Sequence, residues 1–199
     1  MARRPTSPKR ASRPAAATPQ LPPLQYFSPG EAALVDAITA RLIPKDGASP
    51  GAREAGALIY IDRAIAGYFS SLQVLYREGL AMVDIIAHRR HGKVFVALSE
   101  PRQDEVLKTV EQGLLPDGSD RSAQFFAVIH EHTIEGTFGD PIHGGNRDFI
   151  GWKMIGFPGA QDGYSAAQMV AGPDLVDIPT RSIADIQATD PKATGERRS

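Results

Sequence analysis

Cysteine is absent from the 199-residue chain. That excludes disulfides, thiolate-bound zinc, iron–sulfur clusters and covalently attached c-type haem within it. The compartment stays open, because a chain without cysteine suits either redox environment. Long apolar runs are missing as well. None approaches the roughly 20 residues that a helix needs to cross a bilayer, so no direct membrane span is expected. A strong net charge is also lacking: the formal value is -1, which leaves no overall field pointing to nucleic acid. Acidic residues are absent before Glu31, and glycine-rich nucleotide signatures of the GxGxxG or GxxxxGK[ST] type do not occur after any strand-like run.

What is present is a helical grammar between two polar ends. Residues 1–26 are basic and rich in proline and alanine. They hold too little apolar surface to offset chain entropy and are expected to be disordered. Arg3-Arg4 invites a twin-arginine export reading. The apolar stretch such a signal needs is replaced by Pro5, Pro8, Lys9, Arg10 and Arg13. Order is expected from Ser28-Pro29-Gly30-Glu31, a capping box with proline at the first helical position. Leu34, Val35, Ile38 and Leu42 follow at helical spacing, and Pro44 stops the helix. A second helix is expected over about 52–66 with Leu58, Ile61 and Ile65 on one face. A third is expected over about 71–91, closed by Gly92. Val94, Phe95 and Val96 read as a packed connector. A fourth helix is capped by Ser99 and closed by Gly113, and a fifth covers about 122–135. Residues 114–120 read as a loop, and Ser165 with Gln168 as the cap of one short helix ended by Gly172-Pro173. The tail from Pro179 reads as extended or disordered. The expected fold is all-α: a bundle of about five helices over 27–160, with a C-terminal extension at 161–199.

The stretch from Phe138 to Gly159 breaks this grammar. It holds six glycines, two prolines and the only tryptophan, Trp152. Its apolar residues need a place to pack, so it reads as an ordered loop, and loops of this kind on a rigid scaffold are where function concentrates. One reading has it display Asp140, His143, Asn146, Arg147, Asp148, Trp152, Lys153 and Phe157 to a protein partner, since tryptophan and arginine often anchor interfaces. On that reading Trp152→Ala and Arg147→Ala weaken association without unfolding the bundle. The other has Asn146, Arg147 and Asp148 tie down their own loop while the aromatics plug the bundle. A third possibility is a self-contained enzyme with an acid–base site of Asp140, His143 and Asp148. A general helical adaptor is a fourth. His88 and His91, with Arg89 and Arg90 between them, read as a solvated basic helix end that complements the helix dipole. His130 and His132 have the wrong spacing for two ligands on one helix face. No metal, cofactor-binding or catalytic residue is assigned.

The loop DPIHGGNRDFIGWKMIGFPGA resembles the signature of the small subunit (subunit 3, or gamma) of membrane-associated gluconate 2-dehydrogenase-type complexes. The similarity extends through LIPKDGASPGAREAGALIYID, LYREGLAMVDIIAHRRHGKVFVALS and HEHTIEGTFGDP, and so covers about 27–160. The resemblance implies a non-catalytic subunit that aids folding, stability or export of a large FAD-containing dehydrogenase subunit acting on gluconate, a sugar or a polyol. It further implies a multihaem cytochrome c subunit that passes electrons to quinone. FAD and haem c are therefore expected in partners, with no cofactor in this chain. The implied location is periplasmic if the chain is exported with a partner, and cytoplasmic otherwise, because the apolar part of a signal is missing.

Overall fold

The computed structural model describes residues 22–113, 121–166, 169 and 178–189. The expected loop at 114–120, most of the short helix expected after Ser165, and residues 1–21 and 190–199 lie outside the described residues. Within them the chain is all-α, with eight helices. These are α1 (Pro29–Leu42), α2 (Ala52–Ala55), α3 (Ala57–Ala66), α4 (Gln73–His91), α5 (Glu100–Gln112), α6 (Arg121–Phe138), α7 (Ile150–Ile155) and α8 (Ile183–Thr189).

Helix α1 begins as its sequence dictates. The Ser28 hydroxyl accepts from the Glu31 N–H, and the Glu31 carboxylate accepts from the Ser28 N–H at 3.0 Å. The expected single helix over 52–66 is two helices. Gly56 takes a left-handed conformation (φ 78°, ψ 31°), closes α2 and starts α3 at an angle to it. The apolar stripe of Leu58, Ile61 and Ile65 belongs to α3 alone. Ser99 stands at the start of α5, but its side chain makes no capping bond. Of the Val94–Val96 run only Phe95 is buried. It opens a 3-10 turn, and its own backbone is held on both sides: the Phe95 N–H donates to the Asp84 carboxylate at 2.8 Å, and the Gln103 amide donates to the Phe95 carbonyl at 3.1 Å.

Helix α6 is the axis of the bundle, in contact with α1 to α5 and with α7. Val35, Ile38, Ile61, Ile65, Tyr76, Val83, Val106, Val110, Phe125 and Ile129 fill the core around it. Each such side chain contributes roughly 1.5–3 kcal/mol by leaving water. The segment before α1 is strapped to α3 by one buried carboxylate. Asp62 accepts from the backbone N–H groups of Gln25 (2.6 Å), Tyr26 (3.0 Å) and Phe27 (2.9 Å).

The C-terminal segment is more ordered than its composition suggests. Residues 178–182 run back beside the long loop, where Gly159 and Arg181 form a parallel bridge. Ala160 donates to the Arg181 carbonyl at 2.8 Å. Helix α8 then starts on a capping box of Ser182 and Asp185, where the sequence reading had extended or disordered chain.

Candidate functional site

The loop after α6 is built around Asn146. This side chain is fully buried and its backbone is left-handed (φ 45°, ψ 41°), a conformation asparagine tolerates better than most residues. Its backbone N–H donates to the Gly136 carbonyl at 2.8 Å. Its side-chain amide donates to the Gly139 carbonyl at 2.8 Å, and its side-chain oxygen accepts from the N–H groups of Gly151 (2.8 Å) and Trp152 (3.4 Å). One residue thus pins the loop to the end of α6 and caps the start of α7. Glycine is required beside it, because a Cβ at Gly145 would overlap the Gly136 carbonyl and one at Gly151 the Thr137 carbonyl.

Trp152 is 4% exposed. Its indole N–H donates to the Phe138 carbonyl, and its ring stacks on Phe149 (centroids 5.6 Å apart) and meets Phe157 edge-on at 5.2 Å. Arg147 reaches across to α2 and donates to the Glu54 carbonyl at 2.8 Å. That carbonyl lies in the last turn before the Gly56 break and has no acceptor role inside the helix. Asp148 (φ 55°) and Phe149 (φ 59°) are also left-handed, which costs about 1–3 kcal/mol each. The stack on Trp152 holds Phe149 in place.

The eight residues read as a display surface therefore divide. Asn146 and Trp152 point inward. Arg147 and Asp140 are half-buried and engaged: the Asp140 carboxylate accepts from the Ile142 N–H at 3.0 Å and from the Ile183 N–H at 2.8 Å, tying the loop to α8. His143, Asp148, Lys153 and Phe157 are exposed, and the Lys153 ammonium donates to the Asp148 carbonyl at 2.8 Å. The His143 N–H donates to the Asp140 carbonyl at 3.1 Å, but no side-chain hydrogen bond or ion pair joins Asp140, His143 and Asp148 to one another. Among the described residues no three histidine, aspartate or glutamate side chains are grouped to hold a metal ion.

A groove that the sequence did not announce opens where the loop meets α3. It has a volume of about 440 Å³ and is lined by Tyr60, Arg63, Ala64, Tyr68, Phe69 and His143. Tyr68 is 91% exposed. Arg63 is exposed and makes no side-chain hydrogen bond or ion pair with another described residue. Its guanidinium lies over Gly144, where a Cβ would come within 2.7 Å of it. The signal was present as a Tyr68-Phe69 pair outside any helical stripe, but only the fold sets it against His143.

Beneath this groove lies a buried polar cluster. His132 is stacked between Phe69 (4.7 Å) and Tyr76 (5.8 Å), and its Nδ1 shares a 2.8 Å hydrogen bond with the Tyr76 hydroxyl. Burial pushes the His132 pKa down, against the opposing pull of Glu135 and Glu131. The Tyr60 hydroxyl donates to the Glu135 carboxylate at 2.6 Å. Burial first, then that carboxylate, push its phenol well above the usual range.

The family description gluconate 2-dehydrogenase subunit 3 matches residues 29–159, from the first helical residue to the glycine that ends the loop. The chain belongs to the gluconate 2-dehydrogenase subunit 3 family. Membership makes it a subunit of a dehydrogenase complex, and the match covers about two-thirds of the chain. Among curated proteins and among solved structures nothing matches it significantly. Among the described residues of this subunit 3 chain, no helix is long and apolar enough to cross a membrane.

Proposed function

We propose that this subunit 3 chain is a non-catalytic accessory subunit of a membrane-associated, flavin-dependent dehydrogenase acting on gluconate, a sugar or a polyol. Its role is to support assembly, stability or export of the FAD-containing large subunit. A multihaem cytochrome c subunit is the further partner, and the periplasm is the location when the chain is exported with its partner. The observation that carries this reading is the family match, which ends at the close of the Asn146-pinned loop. The self-contained enzyme finds less support. The Asp140 carboxylate accepts from two backbone N–H groups and holds the loop to α8, which suits a structural role better than proton transfer.

Co-purification from the native host tests the proposal. A flavoprotein with dehydrogenase activity is expected to travel with this chain, and the isolated chain is expected to be inert on the same substrates. Recovery only as a free chain, with no flavoprotein attached, would overturn the reading.

A further inference from the structure

The groove between α3 and the loop has one charged wall and three aromatic ones. Tyr60, Tyr68 and Phe69 supply apolar surface, and Arg63 supplies a cation that no carboxylate of the described residues neutralises. Among the described residues no acidic side chain lines this groove. The Tyr60 hydroxyl in its wall donates to the Glu135 carboxylate. Gly144 lies against the guanidinium, where a Cβ would crowd it, and His143 also lines the groove. Arginine and tyrosine are the residue types that dominate binding energy at interfaces, above all when they surround a concave apolar patch. A guanidinium with all its donors free pairs a carboxylate in two-point fashion.

We propose that this groove docks an acidic segment of the large dehydrogenase subunit, with a carboxylate on Arg63 and a neighbouring apolar side chain against Tyr68 and Phe69. The inference rests on the accessory-subunit reading and adds to it the surface and the chemistry of the contact. It also moves the contact away from Trp152 and Asn146, whose side chains are already consumed within the fold. The charge at the groove favours an acidic protein segment over a second copy of this chain, whose groove would bring the same cation to the contact.

The test is co-purification of the native complex through a tag on the large subunit, comparing the wild-type small subunit with Arg63→Glu, Tyr68→Ala and a control, Lys108→Glu, on the exposed face of α5. Circular dichroism checks that each variant is folded. The expected result is a loss of recovered small subunit of about ten-fold or more for Arg63→Glu and about five-fold or more for Tyr68→Ala, with the control unchanged. Wild-type retention should also fall as salt rises. If the wild type travels with the large subunit and both groove variants do so equally well, the groove is not the contact, while the accessory-subunit reading stands. If the tagged large subunit recovers no wild-type small subunit, that reading fails and the docking proposal fails with it. If the groove variants instead abolish self-association of the small subunit on a sizing column, the occupant is a second copy and the proposal is overturned.

Discussion

Two pairs of residues frame the long loop and receive opposite treatment. Trp152 and Arg147 belong to the loop itself. The first is buried with its indole N–H on a carbonyl, and the second caps the C-terminal end of α2. Tyr68 and Arg63 belong to the helical scaffold next door, yet Tyr68 stands in solvent and Arg63 has no counter-charge among the described residues. Residue type alone points equally to both pairs as interface anchors. What separates them is whether the chain itself already satisfies their donors and covers their rings. A tryptophan whose N–H and both faces are occupied contributes to folding, and an arginine with free donors is left for something else.

The comparison breaks if Trp152 turns out to be dispensable for folding. Trp152→Ala removes a buried ring that supports Phe149 in its left-handed conformation. It is expected to destabilise the chain by about 3–5 kcal/mol in urea unfolding. This replaces the expectation of weakened association in a folded bundle. An intact, equally stable Trp152→Ala variant that fails to assemble would restore the display reading of the loop. Gly151→Ala tests the same inner face from the backbone side. Its Cβ would overlap the Thr137 carbonyl, which cannot swing away because it belongs to α6. A loss of about 3 kcal/mol is expected, and a change below about 0.5 kcal/mol, the usual range for a surface substitution, would mean that α7 is not seated on α6 as described.

How far these features could be read beforehand follows from the range of the contacts involved. The Ser28–Glu31 capping box was legible because both partners sit within four residues of each other. The Gly56 break was not, since the apolar positions of α3 continue without interruption from Ala55 and a single glycine in such a pattern is ambiguous. The loop's order was legible from its aromatics, but the direction of its side chains was not. Asn146 turns inward because Gly136, Gly139 and Gly151 offer backbone groups to it, and Arg147 because α2 ends early. The groove was the least legible feature, because His143 lies far along the chain from Arg63 on α3 and from Tyr68 in the turn that follows it, and no local pattern links them. Helix α8 was hidden by a polar composition, and it forms where Asp140 and Gly159 give the returning chain partners.

A smaller effect sharpens the contrast between the buried cluster and the groove above it. His132 is held neutral in the core with its pKa lowered from 6.5, so the unfolded chain binds the extra proton first as pH falls. Stability contributed by the neutral ring is complete above about 6.5 and is lost as pH drops from there toward the folded-state value. The slope from this one residue is at most about 1.4 kcal/mol per pH unit. The other groups facing the ring are Tyr76 on its own hydrogen bond, Tyr60 edge-on, and Glu131 and Glu135, which oppose the shift. Urea midpoints measured between pH 7.5 and 5.5 should fall more steeply for the wild type than for His132→Gln. Parallel slopes would show that the ring is not kept neutral by burial.

The smallest expected effect carries the other half of the comparison. Tyr68→Ala removes a side chain that is 91% exposed. Its only ring contact among the described residues is an edge-on approach to Phe69 at 4.9 Å. Unfolding free energy should change by no more than about 0.5 kcal/mol, as for ordinary surface sites. An exposed tyrosine that is neutral for stability contributes nothing to the fold that would explain its position at the rim of a groove. A stability loss above about 1 kcal/mol would instead place Tyr68 with Trp152 as a residue the chain needs for itself, and the distinction between the two faces would disappear.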